Sequence, residues 1–105
     1  MGELLPLHTL GNTGLKVTML RLGGYHIGWT TEIDAQEVIE KAMEGGVSFF
    51  DTAESYENGG SEIRYGKYLV PKYRDDIFIM SKSTATSGTI AKKHLEGTLR
   101  RLKCD

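Results

Sequence analysis

Cysteine is nearly missing: Cys104 is the single one in 105 residues, so no disulfide can close within the chain and no cysteine-rich metal site can be assembled. His8, His26 and His94 are scattered, with no pair at helical or finger spacing, and no metal is expected. No apolar run approaches the roughly 18 residues that a membrane-crossing helix needs, and the start lacks the charged, apolar and small-residue blocks of a secretory leader. Neither a membrane nor an oxidising compartment is therefore expected, and the cytoplasm is the default location. The Met1-Gly2 start does not suit myristoylation, because that motif wants Ser or Thr at position 6, where Pro6 stands. An excess of either charge is missing too: 13 basic residues face 14 acidic ones, for a net charge of −1, which leaves no electrostatic footprint for nucleic acid. Lys92, Lys93, Arg100 and Arg101 do fall close together, but no aromatic residues are interleaved with them, and a solvated helix face accounts for them. No Ser or Cys sits in a nucleophile elbow, and no segment is repeated as a sequence copy.

The sequence instead alternates short apolar runs with amphipathic stretches. Leu7 to Leu10 and Leu15 to Thr18 flank Gly11-Asn12-Thr13-Gly14, whose glycines suit a tight reversal, so residues 7–18 read as a hairpin. Leu20 to Gly24 reads as the next strand, followed by a loop from Tyr25 to Thr31. Ala35, Val38, Ile39, Ala42 and Met43 recur at helical spacing and predict a helix over Asp34 to Glu44, capped by Thr31 or Asp34 and ended by Gly45-Gly46. Val47 to Phe50 predicts a strand buried on both faces. A second helix is expected from Ser61-Glu62 to about Leu69, before Pro71, with Ser61 as its cap and Glu62 complementing its dipole. Ile77 to Met80 predicts a third strand of this kind, and a last helix over Thr89 to Lys103 is expected to bury Ala91, Leu95, Thr98, Leu99 and Leu102. Strands alternating with helices over residues 20–103 point to an α/β chain with a parallel sheet.

Two of these strands end in chemistry. Asp51 follows Val47 to Phe50, Tyr56 lies five residues on, and Lys82 follows Ile77 to Met80. In parallel neighbours these residues share one rim, the carboxyl end of the strands, where barrel enzymes act. Taken singly, such an Asp is a turn cap, such a Tyr packs against its loop and such a Lys is solvated. Taken together, with Asp51-Thr52-Ala53, Ser61-Glu62 and Gly66 around them, the segment 46–67 resembles the signature of the aldo-keto reductase family. The resemblance covers nearly the whole chain. It departs at Glu57, where the family often has Gly after the tyrosine.

Membership would imply a (β/α)8 TIM barrel, of which the hairpin and three βα units form the amino-terminal part. It would also imply hydride transfer from NADP(H) to a small carbonyl substrate, an aldehyde or ketone. Of the family's Asp, Tyr, Lys and His tetrad, the first three map onto Asp51, Tyr56 and Lys82, and the fourth would lie at the end of the following strand. Gly24, Tyr25 and Asp51 would contact the nicotinamide, with Trp29 a weaker candidate; the glycine pair and its aromatics serve equally well as a sharp turn and a rim cover. The stretch Gly23 to Gly28 is not a dinucleotide fingerprint, since Tyr25 takes the place of the second required glycine.

Each residue type answers a need of that reaction. Hydride addition puts negative charge on the carbonyl oxygen, and an acid must protonate it. A free phenol, with a pKa of about 10, is a weak acid near neutrality, and a neighbouring ammonium favours its ionised form. Tyr56 would be the acid, Lys82 the ammonium, and Asp51 the partner that fixes Lys82. A full barrel takes about 250 residues, so the chain by itself is expected to show little turnover. The alternatives are a catalytically inactive barrel piece that self-associates through an open strand edge, and a weak nucleotide binder.

Overall fold

The computed structural model describes residues 5–105; the Met1-Gly2 start lies outside them. Gly11 and Gly14 adopt left-handed backbone, with φ of 55° and 79°, and reverse the chain between β1 (Leu7–Thr9) and β2 (Lys16–Thr18). The two strands pair antiparallel, Leu7 with Thr18 and Thr9 with Lys16. Thr18 anchors this hairpin: its hydroxyl donates to the Leu20 carbonyl at 2.7 Å and accepts from the Ser48 amide at 3.1 Å. The hairpin therefore sits at the amino-terminal ends of the following strands, away from Asp51.

The second sheet is parallel, in the order β3 (Leu22–Gly23), β4 (Phe49–Asp51), β5 (Phe78–Met80). Leu22 pairs with Phe50, and Phe50 with Ile79, so these three point to one face. That face is covered by helices, and there Phe50 joins Ile27, Ala35, Ile39, Val47, Tyr65, Leu69 and Leu102 in the buried core. Phe49, Asp51, Phe78 and Met80 point the other way, with the Phe49 and Phe78 rings edge to face at 5.7 Å. One face is thus core, and the other carries Asp51.

The helices depart from expectation in instructive ways. Residues 25–29, expected as loop, form α1 (Tyr25–Trp29). No periodicity marks so short a helix; Arg64 holds it, its guanidinium donating to the carbonyls of Ile27 and Thr30, while Ile27 is buried beneath. The next helix, α2 (Glu32–Glu44), begins two residues before Asp34 because Thr31 is the cap, its side chain accepting from the Asp34 amide. Val38, expected in the core, is 41% exposed, because it faces the open side of β3. The helix expected up to Leu69 is α3 (Gly60–Tyr68), and Pro71 then starts a further turn, α4 (Val70–Tyr73), where a missing N–H costs nothing.

The last helix, α5 (Gly88–Leu102), is capped by Ser87, which accepts from the Ile90 amide. Its carboxyl-terminal half buries Thr98 and Leu102 as expected. Its first half does not: Ala91 is exposed and Leu95 is 56% exposed, since packing against α3 begins only near Gly97. Gly66 permits that packing, because a Cβ there would collide with the Arg101 carbonyl and the Leu102 backbone. Arg101, read as solvated, turns inward to Glu62. Among the described residues no helix is long and apolar enough to cross a membrane.

Candidate active site

The sheet sets the spacing of the two charged residues. Beyond the ends of β4 and β5 the ladder continues, the Thr52 amide donating to Met80 O at 2.8 Å and the Glu54 amide to Lys82 O at 3.1 Å. Asp51 pairs with Met80, and Lys82, two residues further along, comes out on the same face. The Lys82 ammonium donates to Asp51 Oδ1 at 2.9 Å and to the Thr52 carbonyl at 2.8 Å. On the other side of the carboxylate, Arg21 Nε lies 3.7 Å from Asp51 Oδ2. The Asp51 side chain is 8% exposed, and a carboxylate so enclosed costs several kcal/mol unless it is paired. Here it meets two cations.

Tyr56 comes to the same place through its loop. The Tyr56 amide donates to Ala53 O, and the Tyr56 carbonyl accepts from the Ser61 amide at the start of α3. Glu57 and Asn58 both take left-handed backbone, with φ of 51° and 52°. That conformation suits the glycine the family often has there; Glu57 adopts it at a cost of about 1 kcal/mol. The Tyr56 ring lies with its centre 5.1 Å from Lys82 Nζ and meets the Tyr25 ring edge to face at 5.5 Å. Asp51, Lys82, Tyr56 and Tyr25 thus form one continuous set of contacts.

Gly24 and Tyr25 take different parts. Gly24 is buried, and a Cβ on it would run into the Asp51 carbonyl and lie 2.7 Å from Ser61 Oγ. Its value here is the close approach it allows between β3, the end of β4 and α3. Tyr25 and Trp29 are 51% and 67% exposed, and with His26 between them they make an aromatic rim beside Tyr56. This donor set fits a nicotinamide ring, which would find aromatic faces in Tyr25 and Trp29 and polar partners in Asp51 and Lys82.

Several residues of the site escaped sequence reasoning. Arg21 carried a usable signal: a charged residue two positions before Gly23, on the face that Asp51 shares. Ser61 does not cap α3 by its side chain; its hydroxyl meets that of Thr52 at 2.7 Å. Glu62 is fully buried, accepting from Arg101 Nε at 2.7 Å and Ser81 Oγ at 2.6 Å. Nothing in the local pattern around Glu62 marks a buried acid, because both partners come from distant elements.

Residues 19–104 match the sequence profile described as the aldo/keto reductase family. The chain belongs to the aldo-keto reductase family. An uncharacterised oxidoreductase of Bacillus subtilis, YrpG, is 32% identical over 117 aligned positions, which take in 91% of this chain and 36% of that protein. Among solved structures, the holo form of aldo-keto reductase AKR11C1 from Bacillus halodurans superimposes with a TM-score of 0.87 at 27% identity, over 96% of this chain and 37% of that one. An aldo-keto reductase from Klebsiella pneumoniae, solved with NADPH, gives 0.76 at 28% identity, over 88% and 34%. The chain thus spans about a third of the length of these relatives. With the family in hand, the three parallel strands and their helices are the partial TIM barrel expected from the sequence.

Proposed function

We propose that this chain carries the Asp51, Tyr56 and Lys82 part of a site that reduces an aldehyde or ketone with NADP(H). The observation that supports it most is the double duty of one ammonium: Lys82 Nζ sits 2.9 Å from Asp51 Oδ1 and 5.1 Å from the centre of the Tyr56 ring. In this reading Tyr56 gives its phenolic proton to the carbonyl oxygen as negative charge develops there. The Lys82 charge favours the phenolate left behind, and Asp51 holds Lys82 in position. A nicotinamide bound against the aromatic rim would supply the hydride. The other phenol near Asp51 cannot act as this acid, since Tyr65 is fully buried, and burial first, then the negative charge of Asp51, push its hydroxyl well above the ordinary tyrosine range.

Tyr56→Phe tests this reading in the intact protein, at whatever length its native source carries. The ring stays and the proton goes, so NADPH oxidation with an aldehyde should slow by about a hundredfold or more, with NADPH affinity nearly kept. Unchanged turnover would remove Tyr56 as the acid.

A second reading is favoured by the sheet edges. Among the described residues, strands β3 and β5 are each paired on one side only, and a groove of about 370 Å³ beside β3 is lined by Leu20, Leu22, Val38, Ala42 and Val47 among others. The 105-residue chain on its own would then act by assembly, with another chain covering these edges. Sedimentation equilibrium decides it: a single 11.7 kDa species at every concentration rules assembly out.

A further inference from the structure

A carboxylate that is fully buried needs a reason, since a solvated residue would serve a helix start better. Glu62 is 0% exposed, and its charge is met by Arg101 from α5, 27% exposed, at 2.7 Å. The guanidinium crosses Gly97, where a Cβ would stand 2.9 Å from Arg101 Nη1, and also reaches Glu54 Oε2 at 3.6 Å. The second oxygen of Glu62 accepts from Ser81 Oγ at 2.6 Å. Ser81 immediately precedes Lys82. One residue before Glu62, the Ser61 hydroxyl meets that of Thr52 at 2.7 Å, and Thr52 immediately follows Asp51. Two consecutive residues at the start of α3 therefore grip the neighbours of the two members of the ion pair. The same turn also holds Tyr56, whose carbonyl accepts from the Ser61 amide.

We propose that Glu62 is a positioning residue of the site: through Ser81 it fixes the end of β5 from which Lys82 springs, and Arg101 holds Glu62 in place to do so. Its bearing on catalysis rests on the reductase reading above; the geometry it controls does not. Lys82 is 43% exposed and on a free strand end would range through solvent, losing Asp51 and the Tyr56 ring alternately. With Ser81 bound to a buried acid, and Glu54 N bound to Lys82 O, the backbone on both sides of Lys82 Cα is fixed. Only the side chain then remains to be ordered by Asp51 and the Thr52 carbonyl, which lowers the entropy lost on pairing.

The test is the acylation of Lys82 in the 105-residue chain, measured by mass spectrometry at limiting reagent, with Lys67 as an internal reference that is itself paired with Glu32. Ser81→Ala and Glu62→Gln should raise Lys82 labelling relative to Lys67 by roughly threefold to tenfold, as expected when one hydrogen bond that orders a group is lost. Ser81→Thr, which keeps the hydroxyl, should restore the wild-type ratio. Unchanged Lys82 labelling in Ser81→Ala overturns the proposal. So does an equal rise at Lys67 and Lys82, which would mean that these residues support only the fold. Lys82 labelling reads the ion pair whether or not the protein turns over, so a reductase reading lost to an active Tyr56→Phe would leave this result standing.

Discussion

Arg21 lies against the Asp51 carboxylate oxygen that Lys82 leaves free, Nε to Oδ2 at 3.7 Å. The same guanidinium sits 5.8 Å from the centre of the Phe49 ring, so it bridges the floor of the sheet face and the acid at its rim. Because the Arg21 side chain is 52% exposed, its ion pair is largely screened by solvent. Arg21→Leu should cost only about 0.5 to 1 kcal/mol, read from the urea midpoint. A loss of several times that size would make Arg21, rather than Lys82, the main partner of Asp51.

Asp51→Asn keeps the shape of the acid and removes its charge. Hydrogen bonds to charged groups contribute about 1.5 to 3 kcal/mol, and the lower end applies here because solvent can take over part of Lys82. Labelling of Lys82 should rise above that of Ser81→Ala, since the partner itself is gone. An Asp51→Asn chain as stable as the parent, with Lys82 no more reactive, would mean that the ion pair does not form in solution.

Gly24→Ala and Gly23→Ala form a matched pair. A Cβ at Gly24 would strike the Asp51 carbonyl, whereas one at Gly23 meets nothing within 4 Å. The first should destabilise by more than about 2 kcal/mol and the second by less than about 0.5 kcal/mol, measured by chemical denaturation. Equal effects would show that the β3, β4 and α3 junction is looser than its geometry implies.

Acid should loosen the contacts of α2. Glu32 accepts from Lys67 Nζ and the Tyr68 hydroxyl, and Lys67 first, then Tyr68, hold its carboxyl below the ordinary 4.5. Glu40 is held down in the same direction, chiefly by the Tyr73 hydroxyl. A carboxyl depressed in the folded state stabilises above its unfolded value and loses that contribution as pH falls through the folded one. The thermal midpoint should therefore fall below about pH 4.5, and less steeply in Glu32→Gln and Glu40→Gln. At the alkaline end the sign reverses: Lys67, chiefly through Glu32, and Lys72, chiefly through Tyr73, are raised above 10.5, so their contribution goes as pH rises past that range. An acid limb identical in all three proteins would place its origin elsewhere.

The strands were legible as short apolar runs, beside glycine at Leu22 and Val47 but between charged and polar residues at Ile77 to Met80; Asp51 and Lys82 were legible because each closely follows such a run, and Tyr56 because it lies five residues past Asp51. The two longer helices, α2 and α5, were legible from their spacing, yet not their burial. Val38 and Leu95 carry the right periodicity and remain exposed, since periodicity describes the face a helix offers and says nothing of what lies opposite. Arg101 and Glu62 were misread for the complementary reason. Each looks like a surface charge in its own helix, and only the packing of α5 on α3 brings them together. Helix α1 was invisible because its carbonyls are satisfied by Arg64, more than thirty residues away.

The alignment of Asp51 with Met80 across β4 and β5 makes the site indifferent to some changes and intolerant of others. Residues 83–87, after Lys82, lie outside the β5 register, so changes of length there leave the pairing of Asp51 with Met80 in place. Removal of a single residue between Ile77 and Ser81 is another matter. It would turn Lys82 toward the helices and bring Ser83 to the mouth in its place, so that descent with variation at this rim must spare the count of residues in β5 while it rewrites the loop beyond.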